Sequence, residues 1–139
     1  MNMDIMPNPT RVRAKAPRIL VVDDATVVRM YYRQLLEGDG YVVDEAINGV
    51  EGLEKALRTS FDLCIVDVNM PMMDGLEFLL ALRLQPATHS LPALVTTTQA
   101  GAADRAAALA AGANDYLVKP VAGDMLAVHV AALLGRPAR

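Results

Sequence analysis

Short aliphatic runs and helical stripes alternate along this chain from residue 18 onward. Arg18-Ile-Leu-Val-Val22 ends abruptly in Asp23-Asp24, and a short apolar run bounded by polar residues predicts a strand buried on both faces. Val27, Val28, Tyr31 and Leu35 recur at helical spacing and predict a helix over 26–37, stopped by Gly38 and Gly40. Tyr41–Ala46 predicts a second strand, nearer an edge because its end is charged. Val50, Leu53 and Leu57 mark a helix over 48–58, and Phe61–Val66 a third strand. Leu76, Leu79, Leu80 and Leu84 mark the third helix. Leu91–Thr97 predicts a fourth strand, with Pro92 tolerated only at its start. The alanine-dominated stretch from Ala100 to Ala111 is helical by propensity and closed by Gly112. Asn114–Lys119 predicts the last strand, and Gly123–Leu134 the last helix, with Leu126, Val130 and Leu133 on one face. Five strands alternating with five helices predict an α/β fold with a parallel sheet and helices on both faces.

In such a sheet the carboxyl ends of the strands share one edge, and that edge is where ligands bind. Asp23-Asp24, Asp67, Thr97 and Lys119 all stand at strand ends. Asp67 ends the apolar run Leu63–Val66, after which Pro71 and Asp74-Gly75 close a loop and start a helix. Three carboxylates crowded there repel, by roughly 3 kcal/mol for a pair about 5 Å apart at an effective dielectric near 20. Protonation or a cation must offset this. A hard divalent ion suits an all-oxygen site, and Mg2+ suits one that keeps waters for a phosphate. Lys119 supplies a point charge for an anion, and Thr97 a hydroxyl donor. An acid nucleophile, a metal, a lysine and a hydroxyl together make a phosphoryl-acceptor site.

Each residue alone has a plainer explanation. Asp24 or Thr26 would serve equally as a helix cap, Asp74-Gly75 as a turn, Thr97 and Thr98 as strand-end hydroxyls bonded to backbone, and Lys119 as a solvated lysine. His89 and His129 lack partners at ligand spacing and read as structural or exposed. Only the joint occurrence of the strand-end groups is poorly explained this way.

The composition narrows the class without changing the picture. The 139 residues are 53% hydrophobic and 21% charged, which fits one domain with a sizeable core. Apolar runs are broken by charges, so no membrane span is expected. Met1–Pro17 lacks an apolar signal core and reads as a disordered leader. Residues 1–18 carry +3 and the remainder −6, so no basic nucleic-acid-binding face is expected. Cys64, the lone cysteine, falls inside a buried strand and reads as an inert packed thiol. Without disulfides a reducing, cytoplasmic compartment fits best.

The motifs Val-Val-Asp23-Asp24, Asp67-Val-Asn69-Met70-Pro71-x-Met73-Asp74-Gly75, Thr97, and Tyr116-Leu-Val-Lys119-Pro120 together resemble the receiver domain of two-component response regulators over about residues 18–134. The resemblance implies a flavodoxin-like, five-stranded sheet of order 2-1-3-4-5. It implies that Asp67 accepts phosphate from a histidine kinase or histidine phosphotransfer protein, and that Mg2+ is held by Asp24, Asp67 and the Asn69 backbone carbonyl. Asp23 would act mainly through a metal-bound water, and Lys119 would pair with the phosphoryl group. Thr97 would swing toward it while Tyr116 moves between outward and inward positions. The family's Lys-Pro bond is often cis.

The same resemblance places the output face on the fourth helix, fifth strand and fifth helix, for an unidentified downstream protein, and leaves a homodimer of the activated form open. Thr98 is larger than the family's usual residue and would narrow access to Asp67. Asn69 and Gln99 occupy positions that tune phosphoryl lifetime. Only Gly135-Arg-Pro-Ala-Arg139 follows the last helix, which leaves a stand-alone receiver, the preferred reading, and a piece of a larger regulator both open. Two competing functions follow. An Asp-nucleophile phosphatase or phosphotransferase would need an acid two residues after the nucleophile, where Asn69 stands. A docking module that never takes phosphate would not need Asp24, Asp67, Thr97 and Lys119. The expectation is therefore a self-modifying switch and not a turnover enzyme.

Overall fold

The computed structural model describes residues 15–136. The reading of residues 1–17 as a disordered leader lies, for 1–14, outside the described residues, as does the end of the tail from 137 on. Strands β1 (Arg18–Val22), β2 (Val42–Ala46), β3 (Leu63–Val66), β4 (Ala93–Thr97) and β5 (Asp115–Val118) alternate with helices α1 (Thr26–Gly38), α2 (Gly49–Arg58), α3 (Gly75–Leu84), α4 (Ala102–Ala111) and α5 (Gly123–Leu133). All neighbouring strands pair in parallel, in the order β2-β1-β3-β4-β5. This is the doubly wound, flavodoxin-like α/β sheet that the alternation and the resemblance predict.

The strand composition follows from position in the sheet. The inner strands β3 and β4 are buried at every residue, whereas the edge strands β2 and β5 carry partly exposed and charged positions. Side chains alternate across the sheet, so Leu20 and Val22 enter one core with Val66, Phe78, Leu82, Ala108 and Tyr116. Ile19 and Val21 enter the other with Tyr32, Leu36, Leu94, Leu126 and Val130. Cys64 is completely buried among the first set, and burial pushes its thiol up to about 12.

Helix starts are set by local chemistry. Asn48 caps α2 by accepting the Glu51 amide, and Asp74 caps α3 in a reciprocal capping box with Glu77. Helix α4 ends at Gly112 in the left-handed region, φ 119°. Helix α1 differs from expectation: Ala25 is its cap residue, with no side-chain cap, and neither Asp24 nor Thr26 fills that role. The Asp23 carboxylate instead accepts the Ala25 amide at 2.9 Å.

Several helical stripes also point elsewhere than their spacing predicts. Val27, Tyr31, Val50, Leu57, Leu80 and Leu84 are exposed. The buried faces are Arg29, Tyr32 and Leu36 on α1, Gly49, Gly52 and Ala56 on α2, and Gly75, Phe78, Leu79 and Leu82 on α3. A helix laid flat on a sheet buries the face that fits closest, and small residues approach nearer than large ones. The β4 strand also starts two residues later than predicted, at Ala93, since Pro92 cannot donate to a ladder.

Candidate functional site

The order β2-β1-β3 means that the chain leaves β1 and β3 in opposite directions around the sheet, opening a crevice at their carboxyl ends. Asp23 and Asp24 follow β1 there, and Asp67 follows β3. One carboxylate oxygen from each lies within 4.8 Å of the others. Asp23 and Asp67 are buried and Asp24 is exposed, so the cluster has a wet mouth and a dry floor.

Lys119, just past β5, crosses to this crevice. Its Nζ donates to Asp23 Oδ2 at 2.7 Å and stands 3.5 Å from Asp67 Oδ2. It is therefore not the solvated strand-end lysine of the plainer reading. The Lys119-Pro120 bond is cis. Burial works against the Lys119 ammonium, but the hydrogen bond and charge of Asp23 outweigh it and raise its pKa. Asp67 is also raised: burial pushes its carboxyl up, the Lys119 charge draws it down, and Asp23 adds to the upward push.

Three carboxylates thus face one ammonium, and the cluster keeps an excess of negative charge. The donors are all oxygen, and ligands about 2.1 Å from one Mg2+ stand at most about 4.2 Å apart. Only a slight contraction would bring these oxygens onto one ion, so the residues present fit the implied metal. Asn69 is exposed on the loop after Asp67, and its amide approaches Asp67 Oδ1 at 3.4 Å.

The floor of the crevice is held by close packing. The Gly75 amide donates to the Val68 carbonyl at 2.8 Å, and the Gly49 amide to the Met73 carbonyl at 3.1 Å. A Cβ on Gly75 would lie 2.3 Å from the Asp67 carbonyl oxygen. That position requires glycine because backbone approaches backbone.

The opposite wall carries the residues expected to move. Thr97 is fully buried at the end of β4, and its hydroxyl accepts the Gln99 amide at 3.3 Å. Its backbone bond is thus the one the plainer reading gave it. Tyr116 is buried, and its hydroxyl donates to the Gln99 carbonyl. Gln99 Nε2 reaches Asn69 Oδ1 at 3.2 Å. One residue, Gln99, therefore links the Asp67 loop, Thr97 and Tyr116. Thr98 is exposed and borders a cavity of about 520 Å³ with Val28, Tyr31, Tyr32 and Lys119.

The two histidines lie apart from this cluster. His129 Nδ1 stands 2.5 Å from Asp115 Oδ2, and His89 Nδ1 2.9 Å from the Arg83 carbonyl. Sequence reasoning missed one buried charge near the site, Arg29. A charged residue in a helix reads as solvent-facing, and nothing local marks it otherwise.

A family model described as the response regulator receiver domain matches residues 19–131. The chain belongs to the response regulator receiver family. The receiver domain is 44% identical over 119 residues to the response regulator MprA of Mycobacterium leprae, covering 86% of this chain and 51% of that protein. It is 39% identical to the transcriptional regulatory protein ResD of Bacillus subtilis, covering 86% of this chain and 48% of that one. The chain thus spans about half the length of the curated relatives it matches.

Among solved structures, the chemotaxis protein CheY4 of Vibrio cholerae is 37% identical with a TM-score of 0.81, covering 86% of this chain and 99% of that one. The receiver domain of the sensor histidine kinase PA1611 from Pseudomonas aeruginosa is 29% identical with a TM-score of 0.81, covering 86% and 98%. That neighbour holds a magnesium ion coordinated in its active-site cleft. Among the described residues of this receiver domain, no helix is long and apolar enough to cross a membrane.

Proposed function

We propose that this receiver domain accepts a phosphoryl group on Asp67 from a phosphohistidine of a sensor histidine kinase or phosphotransfer protein. An Asp67 carboxylate oxygen forms the new P–O bond as the N–P bond to the donor's imidazole breaks. The observation that carries the reading is the gathering of Asp23, Asp24, Asp67 and Lys119, from three separate strand ends, at one crevice mouth. Asp24, Asp67 and the Asn69 carbonyl would hold Mg2+, with Asp23 acting mainly through water, and the ion would neutralise charge on the transferring group.

Phosphorylation adds about −1.5 to −2 of charge and strong acceptor oxygens. Lys119 then has a stronger partner than Asp23. The Thr97 hydroxyl accepts the Gln99 amide and keeps its own proton free to donate to the same group. Gln99 also accepts from the Tyr116 hydroxyl, so a movement of Thr97 toward the phosphoryl group that shifts Gln99 is felt by Tyr116. Contacts that differ between two states are what shift their populations.

Val27, Met30 and Tyr31 stand exposed on α1, the helix that follows the Asp23-Asp24 turn, and this apolar face suits the docking of the phosphodonor. Leu109, Val118, Met125 and Val128 are exposed on α4, β5 and α5 and suit an output partner or a second copy of the activated chain. Asn69 in place of a second acid supports a self-modifying switch over a turnover enzyme. Cys64 is a free, buried thiol, which suits a reducing, cytoplasmic compartment.

The test is intact mass after incubation with Mg2+ and a small-molecule phosphodonor, beside Asp67→Asn. A gain of one phosphoryl group, lost in the variant and without Mg2+, is expected. No adduct with any divalent metal would overturn the reading.

A further inference from the structure

Arg29 is one of the few charged side chains that the fold buries, and its guanidinium ends at the metal-ligand turn. Nη1 donates to the backbone carbonyl of Asp23 at 2.7 Å, within the interior. Nε donates to Glu45 Oε1 on β2 at 2.9 Å, and Nη2 to the Thr26 hydroxyl at 3.3 Å. Glu45 is held in turn by Arg33 Nε at 2.5 Å, and Arg33 also pairs with Glu37 at 2.8 Å. A charged chain therefore runs from the exposed side of α1, over the end of β2, to the carbonyl between the two carboxylates of the crevice.

We infer that Arg29 is a positioning residue for the Asp23-Asp24 turn, setting the cation affinity of the site without touching the cation. This rests on the reading of the site as a Mg2+ site. The turn needs such a support. Helix α1 has no side-chain cap, and the Asp23 carboxylate is divided between the Ala25 amide and Lys119. The Asp23 amide is fixed to the Ala46 carbonyl at 3.0 Å, so β2 already holds one side of this residue. Arg29 holds the other side, and anchors it to β2 through Glu45. A planar fork with several donors can bind a carbonyl and a carboxylate together, which a lysine ammonium on a single stem cannot do in the same geometry.

The sign of the effect separates positioning from electrostatics. Arg29 is a positive charge near a cation site. Removing it, which leaves Glu45 paired with Arg33 alone, makes the local potential more negative. Acting through charge alone, its loss would tighten Mg2+ binding. Acting by positioning, its loss weakens binding despite the favourable change of charge.

The experiment compares Mg2+ dissociation constants by calorimetry for the wild type, Arg29→Met, Arg29→Lys and Arg33→Met. Thermal midpoints and amide exchange at Ala25 are measured on the same metal-free proteins. Arg29→Met is expected to weaken Mg2+ binding about tenfold, the low end of the loss seen when a group that orients metal ligands is removed. It is also expected to speed exchange of the Ala25 amide. Arg29→Lys keeps the charge and gives a smaller loss in the same direction. Arg33→Met lowers the thermal midpoint through the same network but leaves the Mg2+ constant within about twofold, since its salt bridges lie at the partly exposed end.

Arg29→Met binding Mg2+ as tightly as wild type, or tighter, overturns the inference. If that variant does not fold, unchanged or tighter binding by Arg29→Lys does so. A wild type that gives no Mg2+ binding at all sinks the functional reading itself, which is a different result.

Discussion

Gly75→Ala is a sharp test of how the fold holds Asp67. The new Cβ would sit 2.3 Å from the Asp67 carbonyl oxygen, 2.8 Å from Val68 Cα and 2.9 Å from the Asp67 carbonyl carbon, against an ordinary contact of 3.4–4 Å. All three neighbours are backbone, so no flexible side-chain tip can swing away. Either the first turn of α3 or the end of β3 must move by about 1 Å, and the Gly75 amide is bonded to the Val68 carbonyl across that gap. Overpacking a rigid site costs about 1–3 kcal/mol, and backbone contacts place this case at about 3. A misplacement of about 1 Å in a reacting group also slows a positioned reaction by about a hundredfold. Urea unfolding measures the first effect, and the rate of mass gain with Mg2+ and a phosphodonor the second. Gly38→Ala is the matched control. Nothing lies within 4 Å of its Cβ and its φ is not positive, so alanine there should stabilise by about 0.5–1 kcal/mol. A Gly75→Ala protein within about 1 kcal/mol of wild type, phosphorylated at the same rate, would refute the reasoning.

Other parts of the molecule give three further expected outcomes. Asp74→Ala removes the capping box of α3 and should cost about 1 kcal/mol by urea unfolding, with no loss expected if water replaces the cap fully. Burial works to raise the Glu45 pKa, but the hydrogen bonds and charges of Arg33 and Arg29 outweigh it and lower the folded value below 4.5. Its stabilisation is therefore complete above about pH 4.5 and fades as pH falls through the lowered value, so the stability gap between wild type and Glu45→Gln should close on acidification. Among the described residues, Thr96 Oγ1 is buried with no partner in good hydrogen-bond geometry, and the Tyr32 hydroxyl is the group beside it. Thr96→Val should accordingly be neutral or stabilise by about 1 kcal/mol, and a loss of that size would show the two hydroxyls paired.

Local chemistry made much of this protein legible. The runs Ile19–Val22, Leu63–Val66 and Ala93–Thr97 announce themselves because both faces of a parallel sheet are covered, so no charged residue interrupts them. The Asp74 cap is readable because its partner Glu77 is three residues away. Asp23, Asp24, Asp67, Thr97 and Lys119 could be named because each is tied to a strand end, and strand ends in a parallel sheet share an edge, whereas Asn69 and Tyr116 came only with the family resemblance.

What resisted reading depends on partners far along the chain. Lys119 and Asp23 are 96 residues apart, Gln99 and Asn69 30, and Arg29 and Glu45 16. The exposed Val27 and Tyr31 belong to the same limit. Periodicity shows that α1 has a face to bury but not which one, and the sheet chose the face of Tyr32, Leu36 and Arg29, where a guanidinium could meet a carbonyl and a carboxylate.

The sequence by itself determined the order of elements, the parallel sheet and the acids, hydroxyl and lysine at its carboxyl edge, because those follow from short-range pattern and from the geometry of strand ends. Only the tertiary structure decided which helix faces are buried, that Lys119 bonds Asp23 more closely than Asp67, that Gln99 joins Thr97 to Tyr116, and that Arg29 grips the turn between the two acids. Those outcomes are settled when distant segments compete for the same few ångströms, and no local pattern encodes that competition.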